Sequence, residues 1–291
     1  MREQRGTPAR GSVPAPGPEP RAVEIEGIPL HLAHPDELPV RWVGQNETLK
    51  QLLAAWSLVG PGDLPMTPRL LGKPGVGKTT LAYAAGRRLG REVYIFQATM
   101  DTRPEDLLVT PVVDRQGAIR YVASSLVTAM IRGGVAILDE GNRMSEKSWA
   151  SLAPLLDNRR YVESIVAGVK VHAHPDFRIV ATMNDDASTY ELPEYIHSRL
   201  QPQIFLDFPE RDEERAILEE NLPFSDEEVL DYVTDFLQSA HDAQASYTVR
   251  DGINVARYAL KLLAQGEPDR RSALRQSVGR VIGDEALRHL P

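Results

Sequence analysis

Short apolar runs alternate with helical stretches through the middle of the chain. The largely apolar runs lie at residues 70–71, 93–96, 135–138 and 178–183. A run such as 135–138 presents apolar side chains to both faces of a strand, which is typical of buried parallel strands joined by helices. The pattern therefore predicts a layered α/β domain with a parallel sheet.

Two further stretches, 109–122 and 159–173, combine strand-like residues with turn residues and predict β-hairpins. Their turns are expected at residues 116–117 and 167–168, two dipeptides whose second residue is glycine. Because strands of the predicted sheet lie before and after them, we interpret both hairpins as insertions on the α/β core.

The first twenty residues are rich in proline and glycine and contain few apolar side chains. Such a segment cannot bury enough apolar surface to offset the entropy lost on folding. Helical periodicity then appears between Leu49 and Trp56. We expect a flexible tail over residues 1–38 and a folded body that begins near residue 39.

Beyond residue 208 the strand signals stop and the pattern becomes helical. Capping boxes, in which Ser or Thr precedes an acidic residue by three positions, begin at Ser225 and Thr248 and are each followed by an apolar stripe. We therefore expect an α/β domain over 39–208 and a small, acidic helical domain over 209–291.

Composition narrows the class of protein. The chain has 291 residues, of which 42% are hydrophobic and 25% charged, as in soluble globular proteins. No apolar run approaches the roughly 18 to 20 residues that cross a bilayer, so we expect a cytoplasmic protein. The lack of cysteine excludes disulfides, thiolate zinc sites and cysteine nucleophiles, and a net charge of −8 argues against a polyanion as the main partner.

The strongest chemical signal is the segment GKPGVGKTT at 72–80, which fits a phosphate-binding loop: Gly, four residues, Gly, Lys and Ser or Thr. The glycines let the backbone aim its N–H groups at phosphates, and the following helix adds the positive end of its dipole. Lys78 is predicted to reach the outer phosphates and Thr79 to bind Mg²⁺ through its hydroxyl. The predicted nucleotide-binding residues of this segment are Gly72, Pro74, Gly75, Val76, Gly77, Lys78, Thr79 and Thr80.

A buried strand ends in two adjacent carboxylates, Asp139 and Glu140. A carboxylate in that place needs a partner, and Mg²⁺ beside a triphosphate is a suitable one. We predict that Asp139 binds the metal and nucleotide and that Glu140 polarises the attacking water; the alternative is that both cap the next helix. Asn184 follows another strand and is predicted to hold the same water, although an isolated Asn there usually indicates a turn.

With these motifs in place, the chain resembles the AAA+ ATPases, and among them the MoxR-like and dynein-related group. The resemblance rests on GKPGVGKTT, AILDEGNR, HPDFRIVATMN and LPEYIHSRL and covers about residues 39–291. It implies an α/β core with hairpin insertions, a helical lid, ATP as substrate, and a ring, usually of six subunits.

The resemblance also implies two arginines with catalytic roles. Arg199 stands where the family has an arginine finger supplied to the neighbouring subunit, although this chain has Ser-Arg-Leu where the family often has Asp-Arg-Phe. The alternative is a surface ion pair with Glu194 or Glu191. Arg250 matches the second sensor of the lid, acting in its own subunit or on a neighbour, and its alternative partner is Asp251.

The function that follows is a Mg²⁺-dependent ATPase whose ring remodels or matures a partner protein complex. The family resemblance suggests a client or adaptor carrying a von Willebrand factor A domain. Two alternatives remain open: a nucleotide-gated binding module with little turnover, and a nucleic-acid motor, which the negative charge disfavours.

Overall fold

The computed structural model describes residues 22–39, 41–184, 192–222 and 226–291. The strands are β1 (Ala22–Ile25), β2 (Ile28–His31), β3 (Arg69–Gly72), β4 (Val93–Gln97), β5 (Val109–Val113), β6 (Ile119–Ala123), β7 (Val135–Asp139), β8 (Tyr161–Ser164), β9 (Val169–His172), β10 (Arg178–Asn184) and β11 (Gln203–Phe205). The α-helices are α1 (Asn46–Trp56), α2 (Lys78–Arg88), α3 (Pro104–Leu107), α4 (Ser125–Arg132), α5 (Glu146–Leu152), α6 (Glu194–His197), α7 (Arg211–Asn221), α8 (Glu227–Asp242), α9 (Val249–Ala264) and α10 (Arg270–Val281). Short 3₁₀ helices lie at Gly141–Arg143 and Asp284–His289.

A five-stranded parallel sheet with the strand order β11-β3-β10-β7-β4 lies at the centre of the α/β part. Every residue of β10 is buried, as are all but the last of β7. Ile137 belongs to the apolar core on one side of the sheet and Leu138 to the core on the other side. The predicted α/β fold is confirmed, and burial on both faces explains why these strands are continuously apolar.

Strand pairing aligns the carboxyl ends of neighbouring strands at one edge of the sheet. Asn184 of β10 lies opposite Gly72 of β3, and Asp139 of β7 lies opposite Gln97 of β4. The loop that follows β3 is therefore placed beside the polar residues that end β7 and β10.

The edge strand β11 was not predicted. It has three residues, of which Ile204 is buried and Phe205 is 70% exposed, and it runs parallel to β3. Three residues are too few for a periodic pattern to stand out. After this strand, Leu206 donates its N–H to the carbonyl of Leu71 at 2.8 Å, so the chain passes beside the phosphate-binding loop before it enters the helical part.

A second sheet of four strands has the order β1-β2-β6-β5. β1 and β2 form a hairpin that turns at Glu26 and Gly27, whose φ angles are 51° and 81°. β2 runs parallel to β6, with Leu30 opposite Tyr121, and the Leu30 side chain is fully buried. The hairpin thus extends the sheet formed by the first predicted insertion.

The expectation of a flexible tail through residue 38 is wrong for residues 22–31, which form this hairpin; residues 1–21 lie outside the described ranges. Each strand has only four residues, which is too few for an alternating pattern to stand out, and Glu-Gly is not among the dipeptides that most strongly predict a two-residue hairpin turn. The hairpin also contacts the other insertion, because the Glu26 carboxylate accepts the Lys170 N–H at 3.2 Å.

Both predicted hairpins are confirmed. β5 pairs antiparallel with β6, and β8 pairs antiparallel with β9. Their turns contain Gly117 and Gly168 at φ angles of 80° and 66°, a conformation that glycine adopts without strain.

The last four α-helices pack around a third apolar core, which includes Phe236, Val255 and Leu274. The first of them begins at Arg211, close to the expected boundary at residue 209. The region consists of helices because each presents one apolar stripe to the others. In the part of the chain that the structure describes, none of the helices has the length and hydrophobicity that a bilayer crossing requires.

Two helix caps were predicted, at the starts of α8 and α9, and the one at α9 is confirmed. Thr248 and Asp251 form the predicted capping box at the start of α9. At the start of α8 the cap is Asp226, whose carboxylate accepts the Val229 N–H at 3.2 Å. The cap predicted at Ser225 lies outside the described residues.

Candidate functional site

Two glycines give the loop between β3 and α2 its shape. Gly75 and Gly77 have φ angles of 83° and 98°, where residues with a side chain are strained. A Cβ on Gly75 would lie 2.7 Å from Thr248 Oγ1, and a Cβ on Gly77 would lie 3.2 Å from the ring of Trp42. Glycine is therefore required both for the backbone turn and for the close approach of α9 and the 41–45 segment.

Lys78 begins α2 and is 6% exposed. Its ammonium group donates to the carbonyls of Gly72 and Lys73, each at 2.8 Å, which closes the loop on itself. Phosphate oxygens would compete for the same donor.

Asp139 brings together hydroxyl groups from two other elements. Its Oδ1 atom accepts the Thr79 hydroxyl at 2.6 Å and the Thr182 hydroxyl at 2.5 Å. Thr182 was not predicted as a site residue, yet it stands two positions before Asn184 on β10, and this spacing places both on one face of the strand. The result is a cluster of hard oxygen ligands beside the phosphate-binding loop.

Glu140 adopts a left-handed conformation with φ of 54° directly after β7. Its Oε2 atom is 2.6 Å from Arg143 Nε, and its Oε1 atom accepts the Asn184 amide at 3.3 Å. Asn142 donates its side-chain amide to the Asn184 carbonyl at 2.8 Å, which supports the strand end from the opposite direction. The carboxylate of Glu140 is thus held between an arginine and an amide.

The predicted residues meet in a cavity of about 100 Å³. Its lining residues are Pro74, Gly75, Gly77, Lys78, Thr79, Thr80, Asp139, Glu140, Thr182, Asn184 and Arg250. Gly72 ends β3 just before the loop, and Val76 lines the adjoining cavity. The structure therefore brings together the loop, both carboxylates, the amide and the lid arginine from positions far apart in sequence.

Arg250 occupies the first turn of α9 and is exposed, with its side chain at the mouth of this cavity in its own chain. The alternative partner Asp251 is engaged otherwise: its carboxylate accepts the N–H and the hydroxyl of Thr248 at 2.8 and 2.9 Å. Among the described residues no ion pair joins Arg250 to Asp251. A cation at a helix N-terminus is unfavourable unless an anion is near, and the cavity is the adjacent place for one.

A second cavity of about 250 Å³ adjoins the loop on the side of α9. It is lined by Arg41, Trp42, Val43, Gly75, Val76, Gly77, Thr80, Ile217, Asn221, Val249, Arg250 and Ile253. The Trp42 indole N–H is buried there and has no hydrogen-bond partner among the described residues. Sequence reasoning missed this cavity because its walls come from four separate segments, of which only the phosphate-binding loop carries a local motif.

Arg199 lies away from both cavities. Its Nε atom is 3.5 Å from Asp157 Oδ2, it donates to the Tyr195 carbonyl, and its guanidinium lies 5.8 Å from the centre of the Tyr195 ring. The alternative of an ion pair with Glu194 is therefore replaced by one with Asp157, while Glu191 lies outside the described residues. Arg199 lines a separate cavity of about 330 Å³.

The carboxylate of Asp157 is shared by two arginines. The pKa of Asp157 is lowered to about 2, mainly by the hydrogen bonds from Arg159 and to a smaller extent by the hydrogen bond from Arg199. The carboxylate is therefore ionised at neutral pH and holds Arg199 at the surface.

Comparison with known proteins identifies the domain. Residues 69–200 match the family model of the AAA domain, dynein-related subfamily. The CbbQ protein of Hydrogenophilus thermoluteolus is 30% identical over 115 residues, which cover 40% of this chain and only 43% of CbbQ.

Solved structures share the fold at low sequence identity. The Holliday junction branch migration motor RuvB of Thermotoga maritima is 18% identical with a TM-score of 0.57, covering 82% of this chain and 70% of that one. NtrX of Brucella abortus, solved in complex with ADP, is 16% identical with a TM-score of 0.54, covering 79% of this chain and 52% of that one. Residues 69–200 therefore form an AAA domain of the dynein-related subfamily, and the similarity to CbbQ agrees with the MoxR-like resemblance of the motifs.

Proposed function

We propose that this chain is a Mg²⁺-dependent ATPase that works as a ring and uses hydrolysis to remodel or mature a partner protein complex. The observation that carries the proposal is the convergence of Lys78, Thr79, Asp139, Glu140 and Asn184 on one cavity. The similarity of residues 69–200 to AAA domains makes an ATPase the expected activity, and the geometry supports a role for each of these side chains.

The donor set fits Mg²⁺. This ion prefers oxygen ligands and usually binds through one or two protein groups together with substrate phosphates. Thr79 Oγ1 and Asp139 Oδ1, 2.6 Å apart beside the loop, would hold it. When bound, Mg²⁺ neutralises charge on the phosphates. The Lys78 ammonium group, which donates to two loop carbonyls, would donate to phosphate oxygens instead when a nucleotide binds.

Glu140 and Asn184 would act on the attacking water. The water oxygen bonds to the γ-phosphorus, the bond from that phosphorus to the β–γ bridging oxygen breaks, and the carboxylate of Glu140 accepts the proton from water. Asn184 stands within hydrogen-bond distance of Glu140 and would orient the same water molecule. The products are ADP and inorganic phosphate.

The second cavity is suited to the base of the nucleotide. Apolar walls from Trp42, Val43 and Ile253 offer a surface on which a flat ring can pack, and the indole N–H offers a donor. ATP is the nucleotide that the family favours, and the ADP bound to NtrX supports an adenine nucleotide here.

Arg199 would act on the nucleotide of a neighbouring subunit, because within its own chain it is held by Asp157 and Tyr195 away from the phosphate cavity. This role implies a head-to-tail ring, for which six subunits is the family expectation. We further propose a cytoplasmic protein whose client or adaptor carries a von Willebrand factor A domain.

Phosphate release tests the proposal. Glu140→Gln should bind ATP but lower turnover about 10²- to 10⁴-fold, since it removes the proton acceptor. The matched control is Glu163→Gln, which alters an exposed carboxylate on the β8–β9 hairpin and should leave turnover unchanged. A wild-type protein that binds no ATP would contradict the proposal. Equal turnover in wild type and Glu140→Gln would instead favour a nucleotide-gated binding module.

The remaining alternative is a nucleic-acid motor, as the branch migration motor RuvB is. A net charge of −8 disfavours it. Binding to duplex DNA, titrated against salt, should be negligible; tight binding with a steep salt dependence would favour the motor.

A further inference from the structure

Lys73 belongs to the phosphate-binding loop, but its side chain is turned away from the phosphate cavity. Its ammonium nitrogen lies 4.6 Å from the centre of the Phe208 ring. The same ring stacks on His241 of α8, with ring centres 3.8 Å apart and planes inclined by 10°. We call these three side chains the Lys73/Phe208/His241 stack. It joins the loop, the chain that leaves β11, and the helical lid.

The stack continues toward the start of α9. The Nε2–H group of His241 donates to the Tyr247 carbonyl at 2.8 Å. Tyr247 immediately precedes Thr248, the cap of the helix that carries Arg250. The position of the His241 ring therefore sets where α9 begins.

A second contact closes the connection on the loop itself. Thr248 packs so closely on Gly75 that an added Cβ would lie 2.7 Å from its hydroxyl. The loop thus touches the start of α9 directly through Gly75 and indirectly through the Lys73/Phe208/His241 stack. Two separate contacts fix both the distance and the orientation of Arg250 relative to the phosphate cavity.

We propose that Lys73 is a positioning residue that acts through Phe208 and His241 to hold Arg250 over the nucleotide phosphates. This inference rests on the proposed function as an ATPase and assigns Lys73 to lid placement instead of phosphate binding. The Lys73 carbonyl also accepts the Lys78 ammonium, so capture of Lys78 by phosphates alters the backbone that anchors the stack. The loop can in this way report its occupancy to the lid.

A double-mutant cycle on the full chain tests the positioning role. Lys73→Met and Phe208→Leu each remove the cation–π contact, which is worth about a two- to thirtyfold change in an equilibrium. Each should therefore speed amide hydrogen exchange at residues 248–252 about two- to thirtyfold in nucleotide-free protein. The double variant should be no faster than Phe208→Leu, because Phe208→Leu already removes the cation–π contact together with the stacking on His241.

The conservative variant and a nucleotide readout separate position from phosphate binding. Lys73→Arg, which keeps a cation on the ring, should restore slow exchange. ATP affinity should fall in Lys73→Met and be restored in Lys73→Arg, and adding Lys73→Met to Arg250→Ala should lower it less than twofold further, because Lys73 acts through Arg250. The matched control Lys50→Met alters a lysine on α1 that is 77% exposed and should change none of these.

Three results would overturn the inference: unchanged exchange in Lys73→Met, multiplying effects in the Lys73→Met/Phe208→Leu double variant, or a large further loss of ATP affinity when Lys73→Met is added to Arg250→Ala. The exchange measurement needs no nucleotide, so it tests the stack even if the wild-type protein proved inactive. Should Phe208→Leu fail to fold, the pair Lys73→Met and Lys73→Arg still decides, because Lys73 is only partly buried and lies outside the apolar cores.

Discussion

Thr79 Oγ1 and Asp139 Oδ1 lie 2.6 Å apart although the two residues are sixty positions apart in sequence. The parallel sheet creates this pair, because the loop after β3 and the end of β7 meet at the carboxyl edge of the sheet. These two oxygen atoms are the groups that would bind the proposed Mg²⁺ ion.

Asp139→Asn should raise the Mg²⁺ concentration needed for half-maximal ATP hydrolysis by about tenfold or more, because an amide binds this ion less strongly than a carboxylate. Phosphate release measured across a Mg²⁺ titration gives the midpoint. Asp235→Asn, which changes a surface carboxylate paired with Arg211, serves as the control. An unchanged midpoint in Asp139→Asn would remove this carboxylate from the metal site.

Arg199→Ala and Glu140→Gln should each be nearly inactive alone, yet mixing the two proteins should restore activity. In a mixed ring, a subunit with an intact Glu140 can receive Arg199 from its neighbour, and random mixing creates such a pair at about a quarter of the interfaces. Hydrolysis is measured after subunit exchange. If the mixture remains as inactive as its components, Arg199 does not act between subunits.

Gly75→Ala should weaken ATP binding about tenfold or more, because the new methyl group would collide with Thr248 and displace α9. Gly117→Ala provides a matched control: its φ of 80° is close to the 83° of Gly75, but nothing lies within 4 Å of its Cβ position. Both variants bear a similar backbone strain of about 1 kcal/mol. Only Gly75→Ala should lose affinity in a fluorescent-nucleotide titration; equal affinities would show that the lid contact is dispensable.

Glu214 should make stability depend on pH in a direction opposite to that of most carboxylates. Its side chain is fully buried, one oxygen accepts Gln238 at 2.8 Å and the other has no partner among the described residues. Burial raises the pKa of Glu214 from 4.5 to about 7, so the folded state holds its proton more tightly. Its contribution to stability is full below pH 4.5 and is lost as pH rises to 7, by about 3 kcal/mol.

Thermal unfolding between pH 4.5 and 8 checks this prediction. The stability of Glu214→Gln relative to wild type should increase up to about pH 7 and then level off, since the amide does not titrate. Glu219→Gln, an exposed position on the same helix, should show no such trend. A constant difference between Glu214→Gln and wild type across the range would mean that Glu214 is ionised throughout.

The phosphate-binding loop, the four long strands of the parallel sheet and both hairpins were predictable because each has its own local pattern. Gly72, Gly77, Lys78 and Thr79 identify their loop by residue type and spacing. The apolar run before Asp139 identifies a buried strand. The meeting of Lys78, Asp139 and Asn184 followed from one rule, that parallel strands end at the same edge.

Features built from several distant segments were not predictable. Trp42 lines the second cavity only because the chain before α1 folds against the loop and α9, and nothing near Trp42 in sequence indicates that contact. The partner of Arg199 is a carboxylate, Asp157, forty-two positions earlier. The strand β11 and the two strands of the hairpin at 22–31 have three or four residues each, which is too short for an alternating pattern to be recognised.

The N-terminal hairpin has a mechanical consequence. It adds its strand β2 to the first insertion through β6 and touches the second insertion through Glu26 and Lys170. The two insertions are thereby coupled mechanically through the N-terminal hairpin. A force applied to either insertion is shared with the other, and loss of the Glu26 carboxylate would weaken this coupling, because the Lys170 donor is its backbone N–H.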